Sequence, residues 1–334
     1  MTEIGRLRLR GDGSGVMLLQ LSLAQGTLRW ASELRLEAEG LRAWTAADAG
    51  EYEDGSLSSL FLIVCLDPPS EEVELRLGKG PASVKDHTET RLEHGSLALD
   101  LLGFAPALRL ENRVLAEMKS ELCLDNRRIA FDRGYRKILH LGGQGEGLRQ
   151  CGVIKAPGET APGSYLYDFI RLPGLPCLFA RCLLQYPQTG SGVRWDAVSP
   201  FRWELKDGQA LSLPGGLAGK NERGYLLLAG CTPLTAQVRE ENTFLLLDAL
   251  RRDGTGCSGA REQSLIALFA GSGDPAEDRT LAASLCRAPE ILRCEGAVRP
   301  FDGQNYQLGS VSSAAEPPKA ASLGSRLRSL LRRG

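Results

Sequence analysis

The chain has 334 residues, a hydrophobic fraction of 43%, a charged fraction of 24% and a formal net charge of −1. These values are those of a soluble globular protein, and they exclude an intrinsically disordered chain and a membrane-embedded one. A net charge near zero also gives no overall attraction to nucleic acid. The length suffices for two ordinary domains, or for one large β domain with a smaller partner.

Cellular location and cysteine chemistry follow from local composition. The longest uninterrupted apolar run, Leu60–Leu66, is much shorter than the roughly 20 residues that a membrane-spanning helix requires. The first residues, Met1–Arg6, are charged and lack the apolar stretch of a secretory signal, which predicts a cytoplasmic protein. The nine cysteines are scattered, and several stand among apolar residues. In a reducing compartment we expect small buried thiols rather than disulfides.

Period-two alternation of apolar residues marks strands in the first part of the chain. It occurs at Leu7–Leu9, Leu19–Leu23, Leu34–Leu36 and Val73–Leu77. One face of such a strand meets a core and the other meets water, which is typical of antiparallel sheets. Turn clusters rich in glycine and proline separate these strands, at Gly11–Gly15, Asp67–Ser70 and Gly78–Pro81. The spacing predicts a β-sandwich.

The second part of the chain repeats this pattern after a polar stretch at residues 83–90. Alternation resumes at Ile138–Leu141, Leu172–Tyr186, Phe201–Leu205 and Tyr225–Ala229. Residues 239–252 and 276–288 each satisfy both the helical and the strand period, and Asp274-Pro275 favours a helix for the second. The fold is predicted to be mainly β, an antiparallel sandwich or supersandwich with few short helices. We expect a small sandwich at 1–105 and a larger supersandwich-like domain at 106–309.

Beyond Gly309 the composition changes to serine, alanine and proline, which predicts a flexible linker at 310–321. The last residues, 322–334, form a basic amphipathic tail. Its leucines share one helical face and its arginines occupy much of the rest, namely Leu323, Leu327, Leu330 and Leu331, with Arg326, Arg328, Arg332 and Arg333. Because so short a helix is unstable alone, the tail is expected to dock on a protein partner or an anionic membrane.

Few side chains point to catalysis. The three histidines have no spacing that would let two of them share a metal, and no G-x-S-x-G motif is present. The closest cysteine pairs, Cys177 with Cys182 and Cys286 with Cys294, lack the two-residue gap of a zinc knuckle. The sequence therefore predicts no catalytic residue, no metal and no cofactor. The acids Asp168, Asp196 and Glu204 are compatible with a carboxylate pair or with solvated loops.

Two glycine-rich segments have alternative interpretations. Gly142–Gly147 follows an apolar stretch like a phosphate loop, but its spacing and missing lysine favour a β-turn or bulge. Gly215–Tyr225 resembles the glycine-rich loop of CRISPR-associated RNA-binding proteins of the ferredoxin-like class. That resemblance implies phosphate contacts by Lys220 and Arg223, whereas the net charge and the low aromatic content make nucleic acid an unexpected ligand.

The densest aromatic region offers a binding hypothesis. Tyr165, Tyr167, Trp195, Phe201 and Trp203 lie within 39 positions of one another. Tyrosine and tryptophan combine an apolar face with a polar tip, which suits either stacking on a sugar ring or packing in a core. On the first interpretation Tyr165, Tyr167, Trp195 and Trp203 are the candidate ligand-binding residues.

Taken in order, several segments resemble the C-terminal β region of glycoside hydrolase family 38, the α-mannosidase group. They are Leu60–Pro69 leading into Val73–Leu77, Leu110–Leu115, Leu172–Arg181, Leu245–Arg252, and Leu268–Asp274 with the alanine-rich stretch after it. Leu175 and Ala270 depart from the family, which often has glycine and histidine there. The resemblance implies the family's accessory β architecture without its zinc-bearing catalytic domain. No family catalytic residue is therefore carried over.

These observations lead to one functional hypothesis with two alternatives. The first is a non-catalytic β-rich binding or scaffolding protein, with carbohydrate as a candidate ligand, that docks through its C-terminal tail. The second is an accessory subunit of a glycosidase whose active site another chain completes. The third is an RNA-binding protein of the CRISPR-associated type.

Overall fold

The computed structural model describes residues 1–83, 90–101, 105–124, 127–132, 134–189, 195–211, 217–232, 235–251, 258–285 and 288–301. The first half contains β1 Thr2–Arg10, β2 Val16–Leu23, β3 Leu34–Glu37, β4 Leu41–Glu51, β5 Leu57–Leu66, β6 Glu72–Lys79, β7 Arg91–His94, β8 Leu97–Asp100, β9 Ala107–Leu110, β10 Arg113–Met118, β11 Glu121–Leu124, β12 Arg127–Ala130, β13 Tyr135–Lys137 and β14 Leu141–Gly143. The second half contains β15 Glu146–Ile154, β16 Glu159–Ala161, β17 Gly163–Arg171, β18 Leu178–Gln185, β19 Gln188–Thr189, β20 Ala197–Lys206, β21 Gln209–Leu211, β22 Leu217–Asn221, β23 Gly224–Thr232, β24 Thr235–Glu241, β25 Phe244–Arg251, β26 Arg261–Gly271, β27 Glu290–Gly296 and β28 Val298–Pro300. A 3-10 turn at Ala31–Glu33 and helix α1 at Ala276–Leu285 complete the elements of these ranges. The mainly β prediction is confirmed.

Four antiparallel sheets carry most of the chain. Sheet I has the order β27-β1-β6-β3, and sheet II has the order β14-β4-β5-β2-β28. Sheet III has the order β13-β15-β17-β18-β26-β23-β22-β21. Sheet IV runs β12-β11-β20-β10-β9-β8-β7, with β25 also paired to β20 and β24 paired to β25. Strands β16 and β19 form a separate small ribbon.

The sheets stack in the order I, II, III, IV around three apolar cores. Leu7 of sheet I meets Leu19 of sheet II in the first core, and Leu18 of sheet II meets Phe179 of sheet III in the second. Phe169 of sheet III meets Trp203 of sheet IV in the third. Sheets II and III are therefore covered on both faces.

This layering explains the local sequence patterns. Strands β1 and β6 alternate because sheet I has one face exposed, whereas Leu60–Leu66 of β5 is apolar throughout because both faces of sheet II are buried. Helix α1 begins where the sequence predicted it. The Asp274 carboxylate accepts the backbone N–H of Ala276 at 2.9 Å and so caps its first turn.

Two findings differ from the patterns of the sequence. Residues 138–140 are not a strand, because the chain there crosses from β13 at the edge of sheet III to β14 at the edge of sheet II. Strand pairing also connects distant segments. Strand β8 pairs with β9 across the boundary expected near residue 105, and β14, β27 and β28 return to the first two sheets. Within the described ranges, no helix has the length and apolar character needed to cross a membrane.

Candidate functional site

A buried charged cluster joins sheets II and III. Asp168 of β17 is wholly buried, and its cross-strand neighbours are Arg149 of β15 and Arg181 of β18. Arg149 donates to the Asp168 carboxylate from Nε at 2.6 Å and from Nη2 at 2.9 Å. Arg181 donates to the same carboxylate from Nε at 3.0 Å. Arg149 also binds the Asp48 carboxylate of β4 at 3.0 and 3.1 Å, and Arg181 donates to the Asp48 backbone carbonyl at 2.6 Å.

The charges of this cluster compensate one another. Burial opposes ionisation of Asp168, but Arg149 and Arg181 outweigh it and hold the pKa of that carboxyl below its usual value. Burial also opposes the charged form of Arg149, and the two aspartates outweigh it, so the pKa of Arg149 is raised. Two carboxylates and two guanidinium groups give a net charge of zero. Because the pKa of Asp168 moves away from neutrality, the cluster suits structural coupling of two sheets rather than proton transfer.

A second charged cluster lies within sheet IV. Asp248 of β25 is wholly buried and accepts hydrogen bonds from Arg202 Nη2 at 3.0 Å and from Arg239 Nη2 at 2.6 Å. Arg202 also lies 2.6 Å from the Glu121 carboxylate of β11. Four neighbouring strands are thereby cross-linked by charge, because the residues lie on β11, β20, β24 and β25. As in the first cluster, the buried acid is paired with arginines of neighbouring strands.

An exposed aromatic pair lies where the 3-10 turn meets β14. The Trp30 side chain is 45% exposed, and its ring centroid is 4.7 Å from that of His140, with the planes at 48°. The 3-10 turn packs closely against β14, because a side chain at Gly142 would place its Cβ 2.5 Å from the carbonyl oxygen of Ala31. Ile138, two residues before His140, is 48% exposed. An aromatic face is thus presented to solvent on a packed support.

Charged residues lie on and near the turn that follows Trp30. The Glu33 carboxylate accepts the backbone N–H of Arg29 at 2.7 Å and lies 3.7 Å from Lys79 Nζ. The backbone carbonyl of Trp30 accepts the N–H of Glu33 at 3.0 Å, which closes the turn that carries both residues. An exposed indole ring on a turn that also carries a charged residue combines the apolar and polar groups that sugar binding requires of a protein.

A surface groove of about 710 Å³ lies beside β3 and β6. Its lining includes four acids and one base, Glu37, Glu39, Glu72, Glu74 and Arg76. Two arginines of β1 already bind one of these acids, since Arg8 and Arg10 donate to the Glu72 carboxylate at 2.9 and 2.7 Å. The hydrogen bonds from Arg10 and Arg8 lower the pKa of Glu72. The charge of this groove is therefore partly compensated by the protein itself.

The four aromatic residues expected to bind a ligand lie in the core between sheets III and IV. Tyr165, Tyr167, Trp195 and Trp203 are between 0 and 5% exposed. The Tyr165 hydroxyl donates to the Asp132 carbonyl at 2.6 Å, and the Tyr167 hydroxyl donates to Ser120 Oγ at 2.6 Å. None of the four rings has a face open to solvent in this conformation. The four residues therefore pack in a core, which is one of the two roles that the sequence allowed. Their role in stacking on a sugar ring remains an untested prediction.

The other candidate residues divide into described and undescribed ones. All docking residues of the tail, from Leu323 to Arg333, and the linker 310–321 lie outside the described ranges. Lys220 and Arg223 lie at the β22–β23 hairpin, where Arg223 Nη1 donates to the Val114 carbonyl. The Gly142–Gly147 segment forms the end of β14, a turn and the start of β15, as the β-turn interpretation predicted.

The acids and cysteines are also placed. Asp168 points toward sheet II, whereas Glu204 lies on β20 of sheet IV in an ion pair with Lys119, so these two carboxylates do not face each other. Cys177 and Cys182 are buried thiols, and burial raises the pKa of Cys182 to about 12. Within the described ranges, no three His, Cys, Asp or Glu side chains are grouped to hold a metal ion.

Sequence reasoning missed both principal features. Trp30 and His140 are 110 positions apart and meet only because β14 pairs with β4. The cluster around Asp168 had a local signal, since Arg149, Asp168 and Arg181 are the charged residues in the interior of strands that are mostly apolar. A lone charge in such a strand indicates a buried partner, but does not identify it.

Comparison with known proteins finds no matching family and no matching curated protein. Among solved structures, a glycosyl hydrolase family 38 protein from Enterococcus faecalis has a TM-score of 0.44 and 6% identity, covering 95% of this chain and 50% of that one. An α-mannosidase from Enterococcus faecalis V583 has a TM-score of 0.41 and 4% identity, covering 92% of this chain and 47% of that one. The chain thus spans about half the length of these structures. Values this low do not establish a common fold or activity.

Proposed function

We propose that this chain is a non-catalytic carbohydrate-binding protein that uses the Trp30 ring as its stacking surface. The observation that carries the proposal is the exposed ring of Trp30, held against His140 at 4.7 Å. Indole rings bind the apolar C–H face of a pyranose, and nearby polar groups bind its hydroxyls. Glu33 of the same turn and Lys79, whose Nζ lies 3.7 Å from the Glu33 carboxylate, are the groups that we propose to contact these hydroxyls.

The non-catalytic part of the proposal is supported by the state of the buried acids. A glycosidase needs a carboxylic acid whose pKa is raised so that it can protonate the leaving group. Asp168 has the opposite shift, because Arg149 and Arg181 stabilise its charged form. Asp248 accepts hydrogen bonds from Arg202 and Arg239 of neighbouring strands. Both acids are used to join strands, which suits a rigid scaffold that presents a binding surface.

The four tryptophans make the proposal directly testable. Trp44, Trp195 and Trp203 are at most 5% exposed, so Trp30 is the indole that a soluble ligand or quencher reaches. We expect acrylamide to quench one component of the native fluorescence and Trp30→Ala to remove that component. Neutral oligosaccharides built of mannose, glucose or galactose, titrated at millimolar concentration, should include one that protects Trp30 from acrylamide.

Calorimetry with the protecting oligosaccharide separates binding from the optical signal. Trp30→Ala should lose the binding heat, because the stacking face is gone. Phe244→Ala is the matched control, since Phe244 is also a partly exposed aromatic residue but lies on sheet IV. Equal binding by Trp30→Ala and the unaltered chain, or no protection by any of the three sugar types, would refute the proposal.

A further inference from the structure

A row of side chains crosses sheet III beside the charged cluster. In register, Tyr135 of β13 lies opposite Cys151 of β15, and Cys151 lies opposite Leu166 of β17. Leu166 pairs with Leu183 of β18, which pairs with Gln263 of β26. Directly opposed residues point to the same side of a sheet. These five residues are called the open row.

The open row faces the side on which sheet II lies. Arg149 and Arg181 lie two residues before Cys151 and Leu183 on the same strands, and both contact Asp48 of sheet II. Alternate residues of a strand share a face, so the open row points in the same direction. Tyr135 is 59% exposed, and Leu166 and Leu183 are partly exposed. The apolar surface of sheet III therefore extends past the part that sheet II covers.

The described chain ends beside one end of this row. The backbone N–H of Phe301 donates to the carbonyl of Gln20 at 3.2 Å. The side chain of Gln263 donates to Gln20 Oε1 at 3.5 Å. Residues 302–334 consequently begin next to Gln263, the last member of the open row.

We infer that residues 322–334 of the same chain dock on the open row. The leucines of that segment, Leu323, Leu327, Leu330 and Leu331, share one helical face and supply an apolar complement to Leu166, Leu183 and Tyr135. In helical form residues 322–334 are about 20 Å long. Five strands spaced by about 4.8 Å span about 19 Å. The segment therefore matches the width of the row.

Tether length and charge favour the chain's own segment as the occupant. About 20 residues separate Phe301 from Ser322, and a random-coil tether of that length has an average reach of about 25 Å, which is comparable with the width of the row. Such a tether gives an effective concentration on the order of 1 mM. A contact with a Kd of about 100 µM is then occupied about 90% of the time. Glu51 and Glu53 are exposed acids of the β4–β5 hairpin, three and five residues beyond Asp48, and are the partners that we propose for the arginines of the segment.

Alkylation of Cys151 in the full chain reports on docking, because this thiol is the second of the five members of the open row, where it is 7% exposed. The test compares the unaltered chain with Leu327→Asp/Leu331→Asp, using N-ethylmaleimide and mapping the modified cysteines by mass spectrometry. Cys151 should react about 10-fold faster in the variant, as the undocked fraction rises from about 10% to nearly all. Cys65, buried between sheets II and III, is the internal control and should be unaffected.

The reciprocal test changes the row and reads the tail. Tyr135→Glu in the full chain should make trypsin cleave after Arg326 and Arg328 several-fold faster, because the docked face is lost. Tyr135 is suited to this because its exposure makes global unfolding an unlikely result of the change. Leu292→Glu is the matched control, an exposed apolar position on β27 of sheet I that should leave tail cleavage unchanged.

Two outcomes would overturn the inference. One is equal alkylation of Cys151, with equal tail cleavage, in the unaltered chain and in both variants. The other is protection that disappears on dilution from 100 µM to 1 µM, since an occupant from a second copy depends on concentration and a tethered one does not. The inference uses no residue of the Trp30 surface, so it is independent of the carbohydrate proposal.

Discussion

Replacing Asp168 with asparagine is expected to destabilise the fold strongly. The substitution conserves size but removes the carboxylate that accepts hydrogen bonds from Arg149 and Arg181. Arg149 then retains the Asp48 carboxylate, while Arg181 retains only the Asp48 backbone carbonyl among its acceptors in this cluster. Removing one partner of a buried ion pair costs about 3–5 kcal/mol, because an uncompensated charge stays buried. With a urea m-value of about 3 kcal/mol/M, the unfolding midpoint should fall by about 1–1.7 M.

The pH dependence of this loss has a defined sign. The pKa of Asp168 is depressed in the folded state, so its contribution is fully present above the unfolded value, near 3.9, and is lost as pH falls through the folded value. The difference between the unaltered chain and Asp168→Asn should thus be constant between about pH 5 and 7 and should narrow below about pH 4. Urea titrations followed by far-UV circular dichroism measure both quantities.

Asp132→Asn is the matched control for this experiment. The Asp132 side chain is exposed and lies 3.9 Å from Lys155, so its loss should cost less than about 1 kcal/mol. A midpoint for Asp168→Asn that equals the midpoint for Asp132→Asn would refute the reasoning. It would mean that the two arginines find water or other acceptors once the carboxylate is gone.

Two further predictions concern a glycine and a thiol. Gly143→Ala should destabilise the chain by more than Gly55→Ala does, because both have φ near +75° but only Gly143 would place Cβ 2.2 Å from the Trp44 carbonyl. Equal thermal unfolding midpoints for the two variants would show that backbone conformation, and not close approach, sets the cost. Cys182, whose pKa burial raises to about 12, should resist dithionitrobenzoate at pH 8 until urea unfolds the chain. Its modification in native conditions at the rate of a free thiol would contradict the buried position.

The elements of this fold were predictable where only one face of a strand is buried. Leu7–Leu9 and Val73–Leu77 alternate, and both lie in sheet I, whose outer face meets water. Residues 239–252 were ambiguous because their apolar positions satisfied two periods. Of these, the described residues 239–251 form parts of β24 and β25, which are joined through Asn242 at φ 56°. Which strands pair was not predictable. Strand β27 pairs with β1 although nearly the whole chain lies between them in sequence, so no local pattern predicts this pairing or its register.

The candidate sites required contacts that local patterns do not contain. The aromatic cluster from Tyr165 to Trp203 was visible in the sequence, but its rings face the core between sheets III and IV. Trp30 had no aromatic neighbour in sequence, and its exposure arises because it precedes a short turn with a buried interior at Ala31 and Ser32. In this protein the aromatic residues that cluster in sequence pack in a core, whereas the isolated Trp30 beside a turn is exposed.

The layered architecture itself limits where recognition can take place. Sheets II and III are buried on both faces, so their side chains are used for cores and for the charged cluster around Asp168. Surfaces for ligands are then available where one layer extends past the next. The Trp30 ring lies beside β14, the edge strand of sheet II, and the open row lies where sheet III extends past sheet II. Both proposed surfaces therefore arise from the same cause, the incomplete overlap of neighbouring layers.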